Sequence, residues 1–258
     1  MPIGLYFILW YEAGPGSQEE DPLSANTVLS IVTAAIGGSS ILEYFLRVWR
    51  LWKQGSDCRV IGAQSRWNFD WFHWWFGLCL LIVVAELVLA TAWHDPIIKL
   101  LSLPLASVQA VFGTVLLLTD ILCFFVVRAP IRISSVPRGA EVRPGIYPLI
   151  EDICAVDGAG TTEFRKSLDR RYKTSSVFRA MLRNLSLFWA VGALASAAGT
   201  MFLVFDLTDT DVAYTIGWTV PFVWAGIWFL ITIRYVQYML RKELRQWVGE
   251  MILLDAIT

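Results

Sequence analysis

Residues Trp71 to Trp93 read WFHWWFGLCLLIVVAELVLATAW, with no lysine or arginine and a single acid, Glu86. A hydrocarbon core about 30 Å thick needs roughly 20 apolar residues of helix to cross it, so this stretch predicts a transmembrane span. It opens on Trp71, Trp74 and Trp75, preceded by Trp67, which places an aromatic belt at its first end. Working outward, residues 27–46, 105–127, 185–205 and 214–233 have comparable length and also lack lysine and arginine. The expected fold is all-α: a polytopic membrane bundle of five transmembrane helices.

Composition agrees with that reading. Hydrophobic residues make up 56% of the 258-residue chain and charged residues 17%, too apolar for an ordinary soluble domain. The formal net charge of −1 hides a strong asymmetry. Of the 21 lysines and arginines, all but Lys99 fall on one side of the membrane that five spans define. Basic residues mark the cytoplasmic side, so the amino terminus is expected outside or in the lumen and the carboxy terminus in the cytoplasm. The outer segments carry Glu12, Glu19, Glu20, Asp21, Asp95, Asp206, Asp209 and Asp211 against Lys99 alone.

This topology divides the chain into an outer segment (1–26), three spans (27–127), a cytoplasmic loop (128–184), two further spans (185–233) and a cytoplasmic interfacial tail (234–258). The apolar run Pro2 to Trp10 is too short to span and lacks the basic start of a signal peptide, so it is expected in the interface or packed on the bundle. Cys58, Cys79, Cys123 and Cys154 lie in spans or on the cytoplasmic side, where thiols stay reduced. Asn184-Leu185-Ser186 matches a glycosylation acceptor, but on the side where it would go unused.

Along the chain, Gly37-Gly38-Ser39-Ser40 offers a smooth face on the first helix, and the fourth span repeats small residues at Gly192, Ser196 and Thr200 and at Ala195 and Gly199. That pattern predicts a central helix. Prolines 130, 137, 144 and 148 break up the first part of the cytoplasmic loop. Tyr147 to Asp157 then reads as a short helix stopped by Gly158 and Gly160, and Thr161 or Thr162 can cap a second helix through Arg170 and Arg171. Ser175 or Ser176 precedes the fourth span. Pro221 predicts a kink in the fifth, with a polar helix after it that carries Arg241, Lys242, Glu243 and Arg245.

Three intramembrane acids, Glu43, Glu86 and Asp120, are the candidate catalytic or transport residues, because an ionised acid at a helix centre costs about 2.5–3.5 kcal/mol and must face the bundle or water. Glu86 sits toward the outer third, and Glu43 and Asp120 toward the inner end, which favours a Glu43 and Asp120 pair. The bland alternative for Glu43 is an ion pair with Arg47, four residues on. In the loop, Glu151, Asp152 and Asp157 are candidate magnesium ligands, and Arg170 and Arg171 candidate phosphate ligands, since hard oxygens beside a basic segment suit a metal-bound diphosphate. A solvated helix face beside anionic lipid explains the same residues. Trp224 and Trp228 lie deep enough for a cation site, though their spacing also suits packing.

The runs Arg143 to Gly158, RPGIYPLIEDICAVDG, and Leu187 to Gly192, LFWAVG, resemble uncharacterised multi-spanning membrane proteins of filamentous fungi. The resemblance implies a eukaryotic membrane setting and no activity.

Several chemistries are excluded. His73 and His94 lie about 31 Å apart along one helix, too far to ligate one haem. No P-loop and no zinc-spaced cysteine and histidine cluster occurs. The leading expectation is a non-enzymatic or accessory membrane protein, without a cofactor, in the endoplasmic reticulum or plasma membrane. Its expected partners are the bilayer, anionic lipid at the cytoplasmic face and a membrane protein, with nucleic acid excluded. The alternatives are a magnesium-dependent enzyme acting on a lipid or isoprenoid diphosphate, and proton-coupled or ion transport.

Overall fold

The structure is a computed structural model that describes residues 2–15, 23–53, 55–62, 67–92 and 97–255. Among these residues the regular structure is helical, with no strand and two isolated bridges, Arg128 with Glu141 and Ile133 with Val136, in the proline-rich part of the loop. Nine α-helices follow in order: α1 Pro2–Ile8, α2 Ala25–Trp52, α3 Trp71–Thr91, α4 Ile98–Leu101, α5 Pro104–Phe124, α6 Ile146–Asp152, α7 Thr161–Thr174, α8 Ser176–Asp206 and α9 Thr210–Asp255. Single π-turns extend α1 over Leu9–Ala13 and α6 over Ile153–Asp157.

Four helices, α3, α5, α8 and α9, are long and apolar enough to cross a membrane. α3 buries only His73 and Ala90, while Leu81, Val88 and Leu89 stand more than half exposed, the surface a lipid-facing helix presents. The first expected span falls on α2, where several side chains, among them those of Asn26 and Ser39, lie outside the described residues, as do Glu19, Glu20, Asp21, His94 and Asp95.

Helix ends depart from the sequence expectation where polar residues join an apolar run. α8 starts at Ser176, nine residues before the apolar stretch, because the Ser175 hydroxyl accepts the Phe178 N–H at 3.1 Å and caps it. The fifth span and the polar helix after it are one helix, α9, which runs through Pro221. α7 is capped at Gly160 without a side-chain bond; Thr162 instead donates its hydroxyl (2.5 Å) and its N–H (2.7 Å) to the Asp57 carbonyl. Of the two small-residue rows on α8, Gly192 and Thr200 are buried and Ser196 is half-buried, whereas Ala195 and Gly199 of the other row are exposed.

The chain divides into two compact units. The first comprises Met1–Trp49, His73–Phe112 and Ala193–Trp224. There α1 inserts Tyr6 into a core with Val32 of α2, Ala90 of α3, Leu101 of α4, and Tyr214 and Trp218 of α9. The amino-terminal run is thus packed on the bundle, and Tyr6 and Tyr11 donate to the two oxygens of Asp211 in the first turn of α9, at 3.1 and 3.2 Å. Lys99 donates to the carbonyls of Phe205 (3.1 Å) and Leu207 (2.6 Å), closing the end of α8 where free carbonyls and the helix dipole favour a cation. Gly217 touches the chain between α4 and α5: a Cβ there would stand 2.2 Å from the Ser102 carbonyl oxygen.

The second unit comprises Arg50–Phe72, Gly113–Gly192 and Ala225–Thr258. Its core joins Ile146 and Tyr147 of α6, Leu168 of α7, Phe178, Met181, Leu182 and Leu185 of α8, and Met239 of α9. Trp228 of α9 stacks on Phe188 of α8 at 4.9 Å, donates to the Phe188 carbonyl at 3.2 Å, and rests on Gly192, where a Cβ would lie 2.3 Å from its ring nitrogen. Trp228 is therefore a packing residue. A smaller cluster of Ala129, Ile133, Val136 and Val142 lies under the irregular loop.

Candidate functional site

The densest polar constellation belongs to the second unit. α6 carries Glu151 and Asp152 on its inner face and α7 carries Arg165, with Leu168 and Tyr172 on the same side at helical spacing. Arg165, Glu151, Asp152 and Asp70 are all fully shut off from solvent. One Arg165 nitrogen, Nη1, donates to Glu151 at 3.0 Å and to Asp152 at 2.7 Å. The other, Nη2, donates to the Cys58 carbonyl at 3.2 Å and lies 3.7 Å from Asp70.

The second oxygen of Asp152 accepts the Phe72 N–H at 3.1 Å and the Ser134 hydroxyl, which in turn accepts the Trp71 N–H at 3.0 Å. Ser134 holds a positive φ of 48°, so its placement rests on these bonds rather than on backbone preference. Beside it, Arg132 donates to the carbonyls of Ile61, Gly62 (2.9 Å) and Ser134 (2.9 Å). The start of α3, the segment after α2, the irregular loop, α6 and α7 are thereby tied at one point.

Three carboxylates around one guanidinium leave an excess of negative charge where water cannot screen it. Burial, then the charge of Asp70, raises the Asp152 carboxyl above its ordinary range. Burial, then Asp152, raises Glu151. Arg165 is held charged because Asp152 and Glu151 outweigh the burial that opposes its charge.

The structure brings together two of the three candidate metal ligands, Glu151 and Asp152, with Arg165 between them. Asp157 is apart from them, half-exposed and 3.7 Å from Arg50. Among the described residues, no three histidine, cysteine, aspartate or glutamate side chains gather as a metal-ligand set. Of the candidate phosphate ligands, Arg171 pairs with Glu243 of α9 and lies 4.5 Å over the Phe178 ring, and Arg170 is exposed.

The three acids expected within spans fall in both units. Asp120 accepts the Gly145 N–H at 2.9 Å and the Ser186 hydroxyl at 2.7 Å, while Ser186 accepts the Ile146 N–H at 3.1 Å. An acid of α5 and a serine of α8 thus supply the cap that α6 lacks in its own sequence. Gly145 allows that approach: a Cβ would sit 3.0 Å from the Leu116 Cα. In the glycosylation pattern Ser186 is buried, while the exposed Asn184 donates to Tyr235 at 3.0 Å. In the first unit, Glu86 accepts the Ser107 hydroxyl, and Glu43 is exposed on α2, four residues from the buried Arg47.

Sequence reasoning missed Asp70 and the central place of Arg165. The available signal was Arg165 on the apolar side of α7, three residues before Leu168 and seven before Tyr172, where a cation needs buried acids. Asp70 carried no comparable signal, since its partner lies 95 residues away.

A family model matches residues 1–247, and its description is "Domain of unknown function (DUF8766)". No curated protein and no solved structure matches the chain.

Proposed function

We propose, on the premise that the chain belongs to this domain family, that it is a five-span membrane protein with its amino terminus outside and its carboxy terminus cytoplasmic, serving a non-enzymatic or accessory role. The inner-side loop is then a fixed scaffold that presents its surface to the bilayer and to a membrane protein partner. One observation carries this reading: Glu151 and Asp152, the carboxylates best suited to magnesium chemistry, are engaged by Arg165 at zero exposure. Asp120 is likewise committed to capping α6. Five spans and the orientation are supported by the 28-residue length of α2 and by the confinement of all cations but Lys99 to one side. An endoplasmic reticulum or plasma membrane setting, and a fungal source, rest on the resemblance of the 143–158 and 187–192 runs.

The test uses the full chain in non-ionic detergent, with manganese or magnesium as the probe. A scaffold predicts that neither ion shifts the wild-type melting temperature and that Asp152→Asn lowers it. A divalent-ion shift that Asp152→Asn abolishes without lowering the melting temperature would replace this reading with the enzyme alternative, with Arg170 and Arg171 as the phosphate contacts. Reporter tags on both termini, found in one compartment, would remove the five-span count.

A further inference from the structure

A cavity of about 760 Å³ opens in the second unit, beside the irregular loop and the ends of α7 and α8. Its volume falls in the range of small-molecule sites, roughly 300–1,000 Å³. The walls divide by chemistry. Val136, Pro137, Ala140 and Val142 form an apolar side, while Arg143, Lys173 and Arg179 line it together with Asp169 and Glu141.

The cations are held in place before any ligand arrives. Arg143 lies 4.5 Å from the Tyr147 ring centre and 4.6 Å from that of Tyr172, and it donates to Asp169 at 2.6 Å. Contact with two rings confines the guanidinium and leaves it donors for other acceptors. Lys173 takes the second Asp169 oxygen at 2.7 Å. Burial would raise Asp169, but Lys173 and Arg143 outweigh it, so the carboxylate stays ionised between two cations. Arg179 uses Nη1 for the carbonyls of Tyr172 (2.9 Å) and Lys173 (3.0 Å), and its Nη2 and Nε have no acceptor among the described residues. Three cations face two carboxylates, which leaves a net positive wall with guanidinium donors facing an apolar side.

We propose that this cavity binds a phosphate ester, with Arg143, Arg179 and Lys173 on the phosphate and the Val136 to Val142 side on the ester's carbon portion. Two fork-shaped guanidiniums match phosphate oxygens, and a bare inorganic anion would have no use for the apolar wall. The proposal goes beyond the non-enzymatic reading and does not depend on it. The ester has two sources: a lipid headgroup, since Lys173 and Arg179 flank Ser176 where α8 begins, or a soluble metabolite.

The experiment compares the wild type, the double variant Lys173→Gln with Arg179→Gln, and a control double variant, Lys166→Gln with Lys242→Gln, which removes equal charge from exposed positions of the same unit outside the cavity. Each full chain is tested in non-ionic detergent with glycerol 3-phosphate, and with phosphatidylcholine vesicles carrying about one phosphatidic acid in ten lipids. The cavity predicts roughly tenfold weaker binding in the first variant and wild-type binding in the control, with both variants still unfolding cooperatively on heating. Binding of the soluble ester assigns a metabolite-sized ligand, and binding of the vesicles alone assigns a lipid headgroup. Equal losses in the two variants, no loss in either, or no wild-type binding to either probe overturns the proposal.

Discussion

Arg165 holds Asp152 at 2.7 Å with both side chains closed to solvent, and the same Arg165 nitrogen also reaches Glu151. Removing the guanidinium deletes the cation that donates to both Glu151 and Asp152. Breaking a buried pair from one side costs about 3–5 kcal/mol, so Arg165→Met is expected to destabilise the chain by that order. Thermal unfolding in detergent reads the loss, and a melting temperature equal to wild type would show that the cluster is not a structural tie.

The same cluster sets a pH dependence. Glu151 and Asp152 have carboxyl groups raised in the folded state by burial, so the fold binds protons more tightly than the unfolded chain does. Their contribution is fully present below the unfolded carboxylate range and is lost as pH rises through the raised folded values. Stability is therefore expected to fall from about pH 5 to about pH 8, and Asp152→Asn to flatten that slope. Asp169 and Glu243, whose carboxyls are lowered, act in the opposite sense and only in more acidic solution. Melting curves across the interval check the slope.

The cap that Asp120 and Ser186 build for α6 makes a local prediction. Ser186→Ala removes one donor to Asp120 and the acceptor for Ile146, at a cost of about 1–2 kcal/mol by analogy with lost helix caps. Hydrogen exchange should quicken at Gly145 and Ile146 before it does elsewhere in α6. Uniform protection would contradict the capping role.

Gly192 and Gly217 are sites of direct contact. Trp228 rests on the first and the Ser102 carbonyl on the second, so Gly192→Ala and Gly217→Ala are each expected to cost about 1–3 kcal/mol through overpacking. Gly199→Ala, with open space around it, is the matched control. Helix propensity favours alanine over glycine, so a control as damaging as the other two would mean that contact does not govern these positions.

Lys99 closes α8 through the Phe205 and Leu207 carbonyls. Lys99→Met should lower stability by about 0.3–1 kcal/mol, the range for a cation at a helix end. Lys99→Arg should retain part of it.

Helices α3, α5, α8 and α9, long and apolar enough to cross a membrane, were legible because twenty apolar residues in a row admit few other fates. Their ends were less so. Ser175 and Arg179 carry α8 beyond its apolar stretch, and a polar residue at a helix end does not announce whether the helix continues. Residue types drew attention to Glu151, Asp152 and Asp120, but a carboxylate's role depends on its neighbours. Arg165 and Ser186 come from other helices, so no local spacing encodes those encounters. The cavity is harder still to foresee, since Val136, Arg143 and Arg179 meet only after the loop has folded onto α7 and α8.

The buried knot around Arg165 also sets an order of events during synthesis. Asp70, Glu151 and Asp152 leave the ribosome before the guanidinium that neutralises them, Asp70 by 95 residues. At about 5–20 residues per second the segment after α2 stays open for several seconds, its acid still in water, until α7 emerges. Closure of this cluster is therefore a late step that no truncation ending before residue 165 can complete.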